Sequence, residues 1–159
     1  MHARTFDSQA ATFDARAGLP ADALEAVATA VAQFLPKGRN GALLDVGAGT
    51  GELGERLSEL CPRYVGLDVS RPMLDVFSRR FLERRLPRAL LVQADAARPW
   101  PLRGETFDVV FSSRAFHRLP LRQAVDEVLR AGLSGGTFLL GGIRRDSSNP
   151  RINADGHEY

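Results

Sequence analysis

Short apolar segments alternate with segments of helical periodicity along most of this chain. Five apolar runs predict strands at residues 42–46, 64–68, 89–93, 107–112 and 137–143. These runs are apolar at almost every position rather than at alternate positions, so both faces of the sheet should be covered. Strands that alternate with helices predict an α/β fold with a parallel sheet and right-handed crossovers.

Amphipathic helices are predicted before the first strand and after the first, second and fourth strands. The earliest helix begins at Pro20 and stops at Pro36. The three later helices are expected to bury Leu53, Leu57 and Leu60, then Met73, Phe77 and Phe81, then Leu121, Ala124, Val125, Val128 and Leu129. Prolines and a glycine make the connection 95–106 mostly loop, and a turn at 134–136 leads into the last strand.

The pattern divides the chain into three segments. Residues 1–18 form a polar N-terminal arm, residues 19–143 carry the alternating elements, and residues 144–159 form a polar tail that we expect to be flexible. The arm is either partly ordered or folded over a ligand pocket, with Phe13 or Arg16 touching the ligand. A length of 159 residues favours a single domain with one substantial core.

Composition and charge narrow the classes of function. The chain is 44% hydrophobic and 25% charged, as in ordinary soluble proteins. It shows neither an apolar run long enough to cross a bilayer nor a secretory signal, so we expect a cytoplasmic protein without a membrane partner. The net charge is only +2, which does not favour nucleic acid as a partner. One cysteine and three histidines give no metal-site spacing, and Cys61 is expected to be a small buried hydrophobe.

A glycine-rich turn connects the first predicted strand to the helix after it. Gly47, Gly49 and Gly51 lie in the run Gly-Ala-Gly-Thr-Gly. Glycine permits positive φ and close approach of the backbone to a ligand, and the first N–H groups of the next helix face that ligand. Strand, glycine turn and helix in this order indicate a site for a nucleotide-containing cofactor.

Polar residues follow the other predicted strands as well. Asp68 ends the second strand, Asp95 follows the third, and residues 112–117 follow the fourth. Because ligands of parallel α/β sheets bind outside the carboxyl ends of the strands, these residues should converge on one pocket. Asp68 is placed to accept hydrogen bonds from a ribose diol. The alternative is that Asp68 merely precedes the helix cap Ser70.

The remaining contacts of a nucleoside site can be assigned in the same way. Asp95 and the backbone of Ala96 can accept from and donate to an adenine edge, while Val69 and Met73 offer apolar contact to the base. The structural alternative is that Asp95 stabilises a turn of its own loop.

A dinucleotide site is the competing interpretation of the glycine turn. Residues 49–54 match the pattern G-x-G-x-x-G literally, but counting from Gly47, where the strand ends, puts Glu52 at the third glycine position. The dinucleotide pattern also leaves Asp45 unexplained. An acid there can orient the amides of the turn or help to hold a cationic group, which a pyrophosphate ligand lacks. NAD is therefore the weaker assignment.

Four ordered motifs together resemble the class I S-adenosylmethionine-dependent methyltransferases. Residues 44–51 resemble the first motif of that family, and residues 66–70 with Met73 and Leu74 resemble the second. Residues 93–96 match the third-strand motif, and residues 107–113 followed by 117–120 resemble the fourth-strand segment of its small-molecule branch.

That resemblance implies a three-layer αβα sandwich with a mainly parallel, Rossmann-like sheet of strand order 3-2-1-4-5, and S-adenosylmethionine as cofactor. It places Asp68 at the ribose hydroxyls and Asp95 at the adenine amine, with Ser112 bordering the sulfonium and the acceptor. The turn residues implied at the methionine end of the cofactor are Gly47, Ala48, Gly49 and Gly51. The Asn-Pro-Pro-aromatic signature of DNA and protein amino-methylating relatives is absent, which favours a small-molecule acceptor.

The reaction implied is in-line displacement of the methyl group from sulfonium by the acceptor. A general base is needed only for a weakly acidic protonated acceptor, and His117 is the candidate because its usual pKa is near neutrality. The structural alternative is that His117 orders the turn before a helix.

The family sheet has two further strands beyond the fifth, and they are missing from this pattern. The fifth strand should then present an open edge, covered by a second copy of the chain or by another partner. The alternatives to an active methyltransferase are a non-catalytic module that binds S-adenosylmethionine and a truncated methyltransferase domain.

Overall fold

Five parallel strands form one sheet in the order β3-β2-β1-β4-β5. They are seen in a computed structural model that describes residues 7–37, 40–85 and 89–140. The strands are β1 (Ala42–Val46), β2 (Arg63–Asp68), β3 (Ala89–Gln93), β4 (Phe107–Ser112) and β5 (Gly132–Leu140). The predicted parallel sheet and its strand order are confirmed.

Helices connect the strands at the predicted places. They are α1 (Phe13–Ala17), α2 (Ala21–Ala32), α3 (Glu52–Leu60), α4 (Arg71–Arg84) and α5 (Leu121–Ala131), with a short 3-10 helix at Phe116–Arg118. Ser70 caps α4, since its Oγ accepts a hydrogen bond from the Met73 amide at 3.4 Å. In the part of the chain that the structure describes, none of these helices is long and apolar enough to cross a bilayer.

Two apolar cores cover the two faces of the sheet. Leu43 and Leu44 are adjacent in β1 and belong to different cores, because successive strand side chains point to opposite faces. On one face α2, α3 and α4 contribute Leu24, Ala28, Val31, Leu53, Leu57 and Phe77. On the other face α5 and the connection after β3 contribute Ala96, Trp100, Ala124, Val128 and Ala131. The three-layer αβα architecture follows from this arrangement.

The buried face of α5 differs from the predicted one. Ala124 and Val128 are buried as expected, but Leu121 and Leu129 are 68% and 72% exposed. Leu121, Val125 and Leu129 form a stripe about a quarter-turn away from that of Ala124 and Val128. The helix therefore lies on the sheet through its smaller residues and leaves the leucines on the outer side.

The predicted burial of Leu60 and the predicted start of β5 also need correction. Leu60, at the end of α3, is 47% exposed rather than buried. β5 begins at Gly132 instead of Thr137, because Gly132 pairs with Phe107 and Thr137 with Val109. The residues between them bulge out of register and include the predicted turn at 134–136. The end of the predicted strand, residues 141–143, lies outside the described residues, as do the tail 144–159 and residues 1–6 of the arm.

The connection between β3 and β4 is a loop fastened to α5. The Glu127 carboxylate accepts a hydrogen bond from the Trp100 amide at 3.0 Å, and Arg130 donates to the Trp100 and Leu102 carbonyls. Trp100 in turn donates its ring N–H to the Ala96 carbonyl at 3.1 Å. These bonds fix the loop that begins with the candidate residues at the end of β3.

Candidate functional site

The carboxyl ends of the strands bring the predicted site residues to one edge of the sheet. Val46 pairs with Leu67, and Asp68 pairs with Gln93, so β1, β2 and β3 end side by side. Ser112, at the end of β4, donates its hydroxyl to the Val46 carbonyl at 2.8 Å. The segments that follow these strands therefore meet at a common edge.

The glycine turn after β1 is held mainly by β2. The amides of Gly47 and Ala48 both donate to the Leu67 carbonyl, at 2.8 and 3.1 Å. The Gly49 amide donates to Asp68 Oδ2 at 2.9 Å. The Gly47 and Ala48 amides are thus used in hydrogen bonds within the protein. At the start of α3, by contrast, no side chain of the described structure accepts a capping hydrogen bond from the first amides of the helix.

Each glycine of the turn has positive φ, but the space around them differs. The φ angles of Gly47, Gly49 and Gly51 are 82°, 57° and 80°. A Cβ added to Gly47 would lie 2.2 Å from the Ala115 Cβ, and one added to Gly51 would lie 1.8 Å from the Phe77 ring. A Cβ on Gly49 would come no nearer to the protein than 4.0 Å, at the Gly47 carbonyl. Of the three turn glycines, Gly49 is the one whose missing side chain faces open space.

The Asp68 carboxylate lies beside Gly49. Its Oδ1 accepts from the Ser70 amide at 2.8 Å, and its Oδ2 accepts from Gly49. Burial raises the pKa of Asp68 above its usual value, although the amide hydrogen bonds oppose the shift. A carboxylate has about four acceptor positions, so further hydroxyl donors can be accommodated. Asp68 can therefore accept the hydrogen bond from Ser70 at the start of α4 and also make the predicted contact with a ribose.

Asp45 is buried within β1, two residues before the turn, and is paired with Tyr64, which the sequence did not single out. The Tyr64 hydroxyl donates to Asp45 Oδ2 at 2.7 Å, and Asp45 is 3% exposed. Burial raises the pKa of Asp45 to about 7, with the Tyr64 hydrogen bond opposing the shift and the charge of Asp68 adding to it. Burial thus favours the protonated, neutral form of Asp45.

Asp45→Asn is expected to increase stability at pH 8 by about 4 kcal/mol at most, at roughly 1.4 kcal/mol per pKa unit. Because the folded-state pKa lies above the ordinary 3.8, wild-type stability falls as pH rises from about 4 to about 7 and stays low above that range. Asparagine remains neutral, and its amide oxygen can still accept from Tyr64. Urea unfolding at pH 5 and pH 8 measures the difference, with the exposed Asp75→Asn as control. An Asp45→Asn effect that is equal at both pH values would contradict the assignment.

The other predicted cofactor contacts have structural partners of their own. Asp95 Oδ1 accepts from the Ala97 amide at 2.9 Å, which is the turn-stabilising alternative. Met73 is 2% exposed, so its side chain packs in the core, while Val69 is half-buried. Ala96 is buried and carries the carbonyl that accepts from the Trp100 ring. Contacts of these residues with an adenine base stay predictions.

His117, the predicted base, is exposed in the 3-10 helix after β4. Its Nε2 accepts a hydrogen bond from Arg118 Nε at 3.3 Å. To accept a proton from a substrate at Nε2, His117 would have to release this bond. A catalytic role for His117 stays a prediction. No group of three potential metal ligands occurs among the described residues.

The N-terminal arm contributes contacts that the sequence did not indicate. Thr50, within the glycine turn, donates to Asp14 at 2.5 Å, and Arg114, after β4, donates to the Ala17 carbonyl. The Arg114 guanidinium also lies 5.5 Å from the centre of the Phe13 ring. Arg16, by contrast, donates to Gln9 within the arm. No sequence signal links these pairs, because partners such as Ala17 and Arg114 are 97 positions apart.

Comparisons with known proteins agree with this arrangement of strand ends. A family model described as a methyltransferase domain matches residues 44–140. The malonyl-[acyl-carrier protein] O-methyltransferase of Marinomonas sp. (strain MWYL1) is 37% identical over 117 residues, covering 71% of this chain and 40% of that protein.

Solved structures show the same fold. The CcbJ methyltransferase from Streptomyces caelestis superposes with a TM-score of 0.69 at 26% identity, covering 88% of this chain and 58% of that one. The [4+2]-cyclase SpnF has a TM-score of 0.65 at 24% identity, covering 73% of this chain and 43% of its own, and shows a likeness of fold alone.

The chain belongs to the methyltransferase domain family. Members of this type use S-adenosylmethionine as methyl donor. The chain spans between 25% and 41% of the length of eight curated relatives that it matches.

Proposed function

We propose that this chain binds S-adenosylmethionine at the ends of β1 and β2 and supports methyl transfer to a small-molecule acceptor. The observation that carries the proposal is the open space at Gly49 next to the Asp68 carboxylate. A small turn residue with a half-buried acid beside it fits a ribose and its attached chain, because the backbone can approach closely and the acid can accept from hydroxyl groups.

Charge supports this cofactor over NAD. The Asp68 carboxylate lies beside Gly49, and its negative charge helps to raise the pKa of the buried Asp45. Negative charge here disfavours a pyrophosphate and favours a ligand with an ammonium and a sulfonium group. The Gly47 and Ala48 amides, which would bind a phosphate, donate to Leu67 instead.

The residues of the chain would act by positioning and by excluding water. S-adenosylmethionine, when bound, supplies a methyl group on a positively charged sulfur, so the acceptor atom needs only alignment and access. Asp68 would hold the ribose, and the segment after Ser112 would face the acceptor. His117 would take a proton at Nε2 only from a protonated acceptor, after release from Arg118.

The acceptor side is proposed on two grounds. Residues 112–115 read Ser-Ser-Arg-Ala rather than the amino-methylating signature, which supports a small molecule. The name of the Marinomonas relative makes carboxylates the first class to include in an acceptor screen. The same proposal includes three further points. The chain is active by itself, it is located in the cytoplasm, and it is divided into an arm, a domain at 19–143 and a tail.

The edge of β5 is the proposed place for a partner or a second copy. Among the residues that the structure describes, β5 is the outermost strand on its side, and Leu133 and Leu140 are both exposed there. An edge strand with exposed apolar residues is a template for further pairing.

Calorimetric titration with S-adenosylmethionine, S-adenosylhomocysteine and NAD tests the proposal. We expect one site per chain for the two sulfur compounds and no heat from NAD. Binding of NAD alone would refute the cofactor assignment. Labelled methyl transfer to an acceptor would then support the enzyme, whereas tight binding without transfer across a broad acceptor set would favour the non-catalytic module.

A further inference from the structure

The described part of the arm, residues 7–18, together with the adjoining Leu19 crosses the strand ends that form the candidate site. Ser70, two residues after Asp68, donates its hydroxyl to Asp7 at 2.6 Å. Thr50, between two of the turn glycines, donates to Asp14. At the other end of the arm, the Leu19 amide donates to Glu52 at 3.2 Å. The arm is thus attached to the segments after both β1 and β2.

Two arginines hold the arm from opposite sides. Arg80, on α4, pairs with Asp14 and lies 3.6 Å from Glu55. Arg114, after β4, donates to the Ala17 carbonyl, and its guanidinium lies 3.9 Å from Glu52. The side chains of the two arginines are 26% and 31% exposed, so their ion pairs are partly shielded from water.

Apolar burial contributes little to this attachment. α1 has no buried residue, and Ala10 is the single buried residue among residues 7–19. Leu19, at the junction with α2, is partly buried and packs against the core on that face of the sheet. An element held by ion pairs and hydrogen bonds over a core to which it adds little can open without disturbing that core. The arm is therefore a low-stability segment placed over the cofactor site.

We propose that residues 7–19 form a gate over the S-adenosylmethionine site and that Arg80 and Arg114 are positioning residues that hold it closed. The inference rests on the proposed cofactor. The gate would set how fast the cofactor enters and leaves, while Asp68 and the glycine turn would set which cofactor binds.

Arg80→Met and Arg114→Met test the gate, since methionine keeps much of the side-chain length and removes the charge. In Arg80→Met, Glu55 keeps its ion pair with Arg84 at 2.5 Å. We expect each variant to release labelled S-adenosylmethionine about fivefold faster in a chase with excess S-adenosylhomocysteine, and also to bind it faster. A merely structural role would not raise the association rate. The control is Arg71→Met, because Arg71 pairs on the surface of α4 with Asp75 at 2.8 Å.

A second measurement uses the wild-type chain and therefore does not depend on whether either variant folds. Raising the salt concentration from about 0.05 to about 0.5 M should speed release from the wild-type chain, because it screens the two ion pairs. Wild-type rates that do not respond to salt, or variants with the rates of Arg71→Met, would overturn the gate. Failure of the wild-type chain to bind S-adenosylmethionine would instead overturn the proposed function and the gate together.

Discussion

Replacing Asp68 with alanine is expected to weaken S-adenosylmethionine binding about 100-fold or more while the domain stays folded. The carboxylate would accept two ribose hydroxyls, and hydrogen bonds to a charged group contribute about 1.5–3 kcal/mol each. At about 1.4 kcal/mol per factor of ten, the loss of both accounts for the expected change. Titration calorimetry measures the affinity.

The controls separate the ribose contact from the internal role of Asp68. Alanine also removes the bonds from the Gly49 and Ser70 amides, so circular dichroism and thermal unfolding should accompany the titration. Asp68→Asn keeps an acceptor for one of these amides and should lose less affinity. Asp95→Ala, which removes one turn bond from the Ala97 amide, is expected to have the smaller effect of the two alanine variants. Unchanged affinity in Asp68→Ala would remove Asp68 from the site.

Alanine at Gly51 is expected to prevent stable folding, whereas alanine at Gly49 should leave the fold intact and remove cofactor binding. At Gly51 the φ of 80° is strained for alanine, and its Cβ would lie 1.8 Å from Phe77. Phe77 is fully buried and stacked on Phe81 at 4.8 Å, so it has little room to move. We expect a loss of about 4 kcal/mol or more, within the range of severe overpacking and backbone strain.

Gly49→Ala serves as the matched variant. Its left-handed backbone costs about 1 kcal/mol with alanine, but the added methyl group enters open space. That space is the part of the turn proposed for the cofactor, so affinity should fall by about tenfold or more although the melting temperature changes little. Thermal unfolding and calorimetry on both variants decide the matter. If Gly49→Ala bound S-adenosylmethionine as the wild type does, the ligand would have to lie elsewhere.

Much of the central sheet could be predicted from local sequence. β1 and β3 have the predicted bounds, and the glycine turn follows β1 directly, because buried parallel strands and positive-φ turns leave short-range signals. The grouping of Asp68 with that turn followed from one general rule about strand ends. These features depend on residues close together in the chain or on a common topology.

Contacts that depend on helix rotation or on distant pairing could not be predicted in this way. The apolar stripe of Leu121, Val125 and Leu129 is as regular as the one that packs on the sheet, so periodicity alone does not choose between them. Asp45 and Tyr64 lie on neighbouring strands, and their register fixes the hydrogen bond. The bulge in β5 depends on its partner β4 and has only glycines as a local signal.

The N-terminal arm is synthesised before the residues to which it binds in the folded structure. Asp7 and Asp14 leave the ribosome before Ser70, Thr50 and Arg80, and Ala17 precedes Arg114 by 97 positions. With little apolar surface to bury, the arm has no core of its own to join while those partners are still missing. We therefore expect residues 7–19 to dock late, after the strand ends that they cross have formed.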